Sequence, residues 1–306
     1  MEEIKLFTPA TIANVSCGFD ILGLCLDTVG DEMVLRKVAK KGVCITKIVG
    51  QDLPLETEKN VAGVAVLSLL KNIDIDFGFE IEIYKNIKPG SGIGSSAASA
   101  AGAVFGVNQL LGNPFSLKEL IPFAMDGEKL ASGTAHADNV APALLGGFTL
   151  VKSYAPLEVI KIHCPEELYA TVIHPQIEVK TADSRSVLKQ NVPLKTMVKQ
   201  MGNLAGLISG LYTEDYDLIG SSLHDVIIEP HRSILIPEFQ RLKEVSKKAG
   251  ALGSGISGSG PSVFALSKGK EIANKVAKAM TQVYENIQVD FDIHVSKVNQ
   301  NGMKVL

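Results

Sequence analysis

The chain has 306 residues, of which 46% are hydrophobic and 21% are charged. This length fits two domains of roughly 150 residues each, and the composition is typical of a globular protein with a sizeable core. The formal net charge is −3, so the chain lacks the basic excess of a nucleic-acid-binding protein, and no nucleic-acid partner is expected.

The first half of the chain predicts several strands and three helices. Runs that alternate apolar and polar residues, or that are rich in β-branched residues, predict strands. Apolar residues at three- and four-residue intervals predict helices. Ser116 and Glu119 form a capping-box pattern, which starts the helix that carries Glu128. The predicted strands are residues 4–7, 32–38, 43–49 and 79–84, and the first two predicted helices are residues 61–71 and 96–111.

The second half follows Gly146-Gly147 and has the same mixed character. Its predicted strands are residues 148–151, 159–162, 169–173, 262–266 and 291–297, and its predicted helices are residues 195–211, 237–249 and 271–284. Strands and helices mix without a regular βαβ rhythm. The sequence therefore predicts an α+β fold of two units, residues 1–150 and 151–306.

A glycine-rich loop between the strand at 79–84 and the helix at 96–111 carries the strongest chemical signal. It reads Lys88-Pro89-Gly90-Ser91-Gly92-Ile93-Gly94-Ser95-Ser96-Ala97-Ala98. Glycines at alternate positions let the backbone approach a ligand, and successive N–H groups at a helix start form an anion cradle. Ser95 and Ser96 add hydroxyls that can bind a phosphate oxygen or Mg²⁺. The spacing fits neither a Walker A loop nor G-x-G-x-x-G, and a glycine-rich turn without a ligand is the alternative.

A second glycine cluster lies at residues 253–262, where Gly253, Gly255 and Gly258 fit the G-x-G-x-x-G spacing. A dinucleotide-binding loop requires a strand before this motif and a helix after it. Here the predicted helix comes before and the predicted strand comes after, which disfavours a dinucleotide oxidoreductase. A loop this rich in glycine could still close over a phosphate or a small substrate.

The remaining features bear on the compartment. Four cysteines occur, and no two are spaced as C-x-x-C, so we expect reduced thiols that are mostly buried. The uncharged residues 91–116 are rich in Gly, Ser, Ala and Asn, which is too polar for a membrane span. The acidic start Met1-Glu2-Glu3 is unlike a signal peptide. We therefore expect a cytoplasmic protein without a membrane partner.

Several of these segments resemble the GHMP kinase superfamily. The three stretches that carry the resemblance are Pro9–Asp20, the Pro89–Ala98 loop and Gly255–Pro261. Within the superfamily, further stretches resemble the homoserine kinases, namely Asn14–Asp20 with Gly23-Leu24, His136–Pro142, and Glu229–Arg232 with Leu235–Pro237. Together they span essentially the whole chain.

The resemblance implies a fold and an activity. The fold is a two-domain GHMP kinase fold, with an N-terminal domain like domain 2 of ribosomal protein S5 and a ferredoxin-like C-terminal domain. The activity is ATP-dependent phosphorylation of the side-chain hydroxyl of L-homoserine, a step of threonine biosynthesis, assisted by Mg²⁺. A kinase of the mevalonate or shikimate type is the alternative. The resemblance also implies a homodimer.

The same resemblance implies the site residues. Asp20 would bind the substrate ammonium group, Arg185 and Arg232 its carboxylate, and Asn14 and Asn139 its hydroxyl. The other expected substrate contacts are His136, Thr181 and Gly258. The expected nucleotide contacts are Asn60, Lys88, Pro89, Gly90, Ser91, Gly92, Ile93, Gly94, Ser95, Ser96 and Ala97.

Catalysis is expected to depend on Glu128 and Ser96, as ligands of Mg²⁺, and on the two asparagines Asn14 and Asn139. An amide at residue 139 cannot act as a base near neutral pH, so we expect phosphoryl transfer without a side-chain base. One departure from the family lies before Arg185, where this chain has Asp183-Ser184.

Overall fold

Two β-sheets organise the chain in the computed structural model, which describes residues 2–134, 136–177, 179 and 181–306. The strands are β1 (Glu3–Ala13), β2 (Leu22–Val38), β3 (Gly42–Val49), β4 (Gly78–Tyr84), β5 (Phe148–Tyr154), β6 (Leu157–Ile162), β7 (Leu168–Pro175), β8 (Gly253–Ile256), β9 (Val263–Lys268), β10 (Phe291–Lys297) and β11 (Lys304–Val305).

The first sheet has seven strands in the order β11-β1-β2-β4-β3, and β5 and β6 extend it from the other end of β2. The pair β3–β4 is parallel and the other pairs are antiparallel. The second sheet is antiparallel throughout, in the order β10-β7-β9-β8. The predicted division near residue 150 falls within β5, which belongs to the first sheet, so that boundary remains a prediction.

Helices cover these sheets, and the described residues form α1 (Val61–Leu70), α2 (Ser95–Leu110), α3 (Leu117–Ser132), α4 (Ala137–Leu145), α5 (Thr181–Ser186), α6 (Leu194–Thr213), α7 (Tyr216–Ser222), α8 (Glu229–Arg232), α9 (Phe239–Lys248) and α10 (Lys270–Asn286). Short 3₁₀ turns lie at Thr57–Lys59 and Ser233–Leu235. The capping box of Ser116 and Glu119 starts α3, as predicted. No helix in the described ranges is both long enough and apolar enough to span a bilayer.

Three hydrophobic clusters hold the layers together. The first joins α1, α2, α3 and α4 to one face of the first sheet. The second lies between the two sheets and includes Phe148 of β5 and Phe264 of β9. The third packs α9 and α10 on the outer face of the second sheet. The second cluster fixes the ends of the two sheets beside each other, and the loops at that junction form the site described below.

Most predicted elements are present, and the differences have physical causes. The strand predicted at 4–7 continues to Ala13 as β1, past a register shift between Pro9 and Thr11. The glycine cluster contributes a strand, β8, because the backbone of residues 253–256 pairs with β9. The helix α4 was not predicted, and it contains Pro142, a residue that disfavours a helix interior.

Candidate active site

A cavity of about 360 Å³ lies where loops from both sheets meet. Its walls combine the glycine-rich loop, the start of α2, the last turns of α3, the start of α4, and residues from α5 and α8. The predicted site residues that line it are Asn14, Asp20, Pro89, Gly90, Gly92, Gly94, Ser95, Ser96, Glu128, His136, Asn139, Arg185, Arg232 and Gly258.

Other predicted contacts lie outside this lining. The Lys88 ammonium donates to Gln176 Oε1 at 2.7 Å. Asn60 caps α1, since its Oδ1 accepts from the backbone N–H of Ala62 at 3.0 Å. Ser91, Ile93 and Ala97 are buried in the surrounding structure. The side chain of Thr181 falls outside the described part of the chain.

The glycine-rich loop ends in a tight turn at the N-terminus of α2. Gly94 has a φ of 72° and stands directly before the first helical residue. A Cβ at Gly94 would lie 2.1 Å from Thr11 Oγ1, so no side chain fits there. The free N–H groups of the helix start can therefore face the cavity as an anion site.

The loop is also tied to the second sheet. Ser257 Oγ donates to the carbonyl of Gly92 at 2.7 Å, and Ser262 Oγ donates to the carbonyl of Ser91 at 2.6 Å. The two glycine-rich segments therefore form one wall, although the sequence separates them by more than 160 positions.

The two serines of the loop have different partners. Ser95 Oγ donates to the Ile87 carbonyl at 2.9 Å and so closes the loop on itself. Ser96 Oγ donates to Glu128 Oε1 at 3.0 Å. Of the two candidates that the sequence left open, Ser96 is the one that points at an acidic side chain.

Glu128 lies on α3 opposite this helix start and is buried. Burial raises the pKa of its carboxyl group to about 7, against the opposing effect of the Ser96 hydrogen bond. A carboxylate beside a hydroxyl is a hard oxygen pair of the kind that Mg²⁺ prefers, with phosphate oxygens and waters completing its shell. No group of three or more His, Cys, Asp or Glu in the described residues could hold a metal. The donor set thus fits an ion bound jointly with a phosphate ligand.

A buried ion pair lies beneath the loop, and sequence reasoning missed it. Lys85 Nζ contacts Asp31 Oδ2, and both side chains are almost fully buried. The same ammonium donates to the carbonyl of Ser95 at 2.9 Å. Asp31 Oδ1 accepts the N–H groups of Asn86 and Ile87 at 2.7 and 2.8 Å. The pair therefore fixes both ends of the loop that runs from residue 87 to residue 95.

At the other end of the cavity, opposite charges meet. Arg185 Nη2 donates to both carboxylate oxygens of Asp20, at 3.0 and 3.1 Å. The same nitrogen lies 2.9 Å from His136 Nε2. Burial lowers the pKa of His136 against the opposing charge of Asp20, and the nearby arginines Arg185 and Arg232 add to the lowering. A neutral His136 can accept the hydrogen bond from Arg185.

Arg232 approaches this end from α8 and is buried. Its Nε donates to the Ser184 carbonyl at 3.0 Å and its Nη1 to the Gly258 carbonyl at 3.2 Å. Burial and the neighbouring Arg185 lower the pKa of Arg232 to about 10. The side chain of Ser184, which departs from the family pattern, has a contact of its own, because its Oγ donates to the Ser259 carbonyl at 2.5 Å.

Two asparagines lie between the two ends. Asn14 Nδ2 donates to the Gly258 carbonyl at 2.6 Å, and its Oδ1 accepts the N–H of Asp20 at 2.9 Å. Asn139 Oδ1 accepts the Thr11 hydroxyl at 2.8 Å. Asp138 lines the cavity beside Asn139, and burial, with the charge of Asp20, raises its pKa to about 7. Sequence reasoning missed Asp138 as a separate candidate.

Comparison with known proteins agrees with this geometry. Two family models match, "GHMP kinases N terminal domain" over residues 60–147 and "GHMP kinases C terminal" over residues 207–286. These models define a class of ATP-dependent small-molecule kinases. The chain is 46% identical to the homoserine kinase of Chlorobium phaeobacteroides and 43% identical to that of Chloroherpeton thalassium, over the whole of both chains in each case.

A solved structure gives the same result. The crystal structure of homoserine kinase from Cytophaga hutchinsonii superposes with a TM-score of 0.97 at 52% identity, covering 100% of this chain and 98% of that one. The chain therefore belongs to the homoserine kinase family of the GHMP kinases. The predicted family and its two-domain α+β fold are confirmed.

Proposed function

We propose that the protein transfers the γ-phosphate of ATP to the side-chain hydroxyl of L-homoserine. The observation that supports this proposal is the different chemistry of the two ends of one cavity. An anion cradle with a Ser96–Glu128 pair lies at one end, and Asp20 with Arg185 and Arg232 lies at the other. A phosphate donor suits the first end, and an amino acid with one ammonium and one carboxylate group suits the second.

The proposed nucleotide contacts are the loop residues that line the cavity, together with the N–H groups of the α2 N-terminus. Ser96 and Glu128 would hold Mg²⁺. That ion would neutralise charge on the phosphate oxygens when bound. The proposed substrate contacts are Asp20 for the ammonium group and the two arginines for the carboxylate, with Asn14 and Asn139 placing the hydroxyl. His136 would hold Arg185 in place. The roles proposed for Asn60 and Thr181 are based on family resemblance alone, and the cytoplasmic location is a proposal from the sequence features given above.

We further propose that no side chain accepts the hydroxyl proton. Phosphoryl transfer passes through a loose transition state, in which positioning and charge neutralisation supply most of the rate. Asn139 cannot serve as a base, and its Oδ1 already accepts from Thr11. The proton would pass to a phosphate oxygen or to solvent.

Asp138 provides the sharpest test of a mechanism without a base. A pKa of about 7 would suit a general base, and general bases contribute roughly 10²- to 10⁴-fold to the rate. We expect Asp138→Asn to lower kcat by less than about tenfold and to leave the shape of the pH–kcat profile unchanged, since by this mechanism the carboxylate only shapes the cavity. A loss of 10²-fold or more, with the loss of one ionisation from the profile, would identify Asp138 as the base.

Asn139→Asp is the complementary variant. It places a carboxylate where the hydroxyl is expected, so a strong gain in kcat would indicate that the native site lacks a base it needs. We expect no gain, because the proposed mechanism needs no side-chain base and the new negative charge would lie near the bound phosphates. Steady-state kinetics over pH 6–9 separates the two outcomes.

The substrate itself is tested by ADP release with Mg-ATP and a panel of L-homoserine, L-serine, L-threonine, mevalonate and shikimate. We expect turnover with L-homoserine and loss of that turnover in Arg232→Ala, where the carboxylate end is dismantled. Turnover with mevalonate or shikimate, which lack an amino group, would instead favour another GHMP kinase activity. It would also overturn the roles of Asp20 and both arginines.

A further inference from the structure

One aromatic ring lies against both arginines of the cavity. The guanidinium carbon of Arg232 is 5.0 Å from the centroid of the Phe19 ring, and that of Arg185 is 5.7 Å from it. Both distances fall inside the range of about 6 Å in which the negative face of a ring attracts a cation. Phe19 is half-buried and lies outside the cavity lining, so its ring can act on a bound ligand only through the arginines.

The packing of Phe19 differs from that of the other apolar side chains in its turn. Val15, Cys17 and Leu22 belong to the cluster between the sheets. Phe19 belongs to none of the three hydrophobic clusters that the described residues form. The hydrophobic core therefore does not account for this ring, whose partners are instead the two guanidinium groups.

The backbone on either side of Phe19 is held by hydrogen bonds that do not involve the ring. Gly18 N–H donates to the Asn14 carbonyl at 2.9 Å, and Asp20 N–H donates to Asn14 Oδ1 at 2.9 Å. Leu22 N–H donates in turn to the Gly18 carbonyl at 2.9 Å. A change of the side chain at residue 19 should therefore leave the turn, and with it the position of Asp20, in place.

The contacts of Arg232 leave its positive charge available to a ligand. Its hydrogen bonds go to the carbonyls of Ser184 and Gly258, which are neutral acceptors. Among the described residues no ion pair includes Arg232, and the nearby Asp20 contacts Arg185 instead. A buried cation needs compensation, but an acidic partner would compete with the carboxylate of a ligand. An aromatic ring face stabilises the cation without that competition.

We propose that Phe19 is a positioning residue for the substrate carboxylate, because its ring holds the guanidinium groups of Arg185 and Arg232 in place and stabilises their charge without neutralising it. This inference rests on the carboxylate role proposed above for the two arginines. Their like charges repel each other, and a shared ring offsets part of that repulsion. The ring should therefore contribute to recognition of the carboxylate and not to that of the ammonium group or the nucleotide.

The first test is the KM for L-homoserine in Phe19→Leu, which keeps an apolar side chain and removes the ring face. We expect this KM to rise about tenfold, the size of a partly desolvated cation–π contact, with kcat and the KM for ATP within about twofold of native. The matched control is Phe77→Leu, because Lys37 lies over that ring at 5.1 Å and neither residue lines the cavity.

The outcomes of this test are distinct. An unchanged KM for L-homoserine in Phe19→Leu, or an equal rise in Phe77→Leu, would overturn the role of the ring. Failure of the native enzyme to phosphorylate L-homoserine would overturn the proposed function instead. Circular dichroism shows whether each variant is folded.

Ligands that lack one charged group separate this role from a general effect on the turn. γ-Hydroxybutyrate keeps the carboxylate of L-homoserine, and 3-aminopropanol keeps its ammonium group. Phe19→Leu should weaken the binding of γ-hydroxybutyrate and leave that of 3-aminopropanol unchanged. Ligand-observed NMR measures both dissociation constants without turnover. Equal weakening of the two ligands would show that the ring only shapes the turn and would rule out the positioning role.

Fluorination tests the charge distribution of the ring with little change in its shape. Fluorine withdraws electron density from the ring face, so the attraction for a cation weakens with each added atom. With one, two or three fluorine atoms on the phenylalanine at residue 19, the KM for L-homoserine should rise stepwise, whereas Phe19→Tyr should stay close to native. A native KM for the trifluorinated protein would contradict the inference.

Discussion

Replacing Glu128 by glutamine should lower kcat by about 10²-fold or more, the largest loss that we expect from any single isosteric change. A metal ion contributes several kcal/mol of charge stabilisation in such sites, and each 1.4 kcal/mol corresponds to about tenfold in rate. Glu128 is the buried carboxylate that faces the helix start through Ser96, so the ion would lose its main protein ligand. The concentration of Mg²⁺ needed for half-maximal rate should rise as well.

The Glu128→Gln variant distinguishes a loss of catalytic rate from a loss of stability. Glutamine keeps an acceptor for the Ser96 hydroxyl and removes a carboxyl group whose pKa is raised by burial, so the fold should not be weakened. Glu119→Gln is the matched control on the same helix, because glutamine also serves in a capping box and Glu119 is exposed. A kcat of Glu128→Gln within threefold of the native value would rule out the proposed metal role. Urea unfolding of both variants completes the comparison.

Replacing Lys85 by methionine should destabilise the protein by about 3–5 kcal/mol, because removing one partner of a buried ion pair leaves the other charge uncompensated. Here the remaining group would be Asp31, whose side chain is fully buried. The ammonium also donates to the carbonyl of Ser95 and to Ser99 Oγ at 3.1 Å. Its loss should therefore loosen the start of α2 and raise the KM for ATP as well as lower the free energy of unfolding.

A surface ion pair on the same sheet provides the control. Lys5 Nζ lies 2.7 Å from Glu32 Oε2, and the two side chains are 48% and 40% exposed; such surface pairs contribute about 0–1 kcal/mol. Lys5→Met should therefore change the free energy of unfolding by less than about 1 kcal/mol. In the double variant Lys85→Met/Asp31→Asn the loss should be smaller than the sum of the single losses. A change below 1 kcal/mol for Lys85→Met alone would contradict the account.

The parts of the site that were predictable are those encoded locally. The loop from Pro89 to Ser96 is recognisable from its glycines, the strand before it and the small residues after it. Each of these features determines the backbone conformation of residues close to it in sequence. The family resemblance then brought residues as distant as Asp20 and Arg232 into one hypothesis, and both line the same cavity.

What escaped prediction depends on contacts between distant segments. Lys85 and Asp31 are 54 positions apart. Each lies in a strand or at a strand end where apolar and polar residues alternate, and that pattern alone predicts an exposed side chain. The strand β8 is built on Gly253 and Gly255, which disfavour strands locally, and it forms because β9 supplies its hydrogen bonds. Asp138 acquires its raised pKa only when the fold buries it.

The hydrogen bonds from Ser257 and Ser262 to the glycine-rich loop make the nucleotide end of the cavity a joint product of both sheets. In a chain that had folded only its first sheet, the Lys85–Asp31 ion pair would still hold the glycine-rich loop. The cavity would lack the wall that the second sheet supplies. Because Gly258, in the same segment, accepts from Asn14 and Arg232, local opening of the β8–β9 hairpin would dismantle both ends of the cavity at once. Amide hydrogen exchange in the two segments should therefore follow a single opening event.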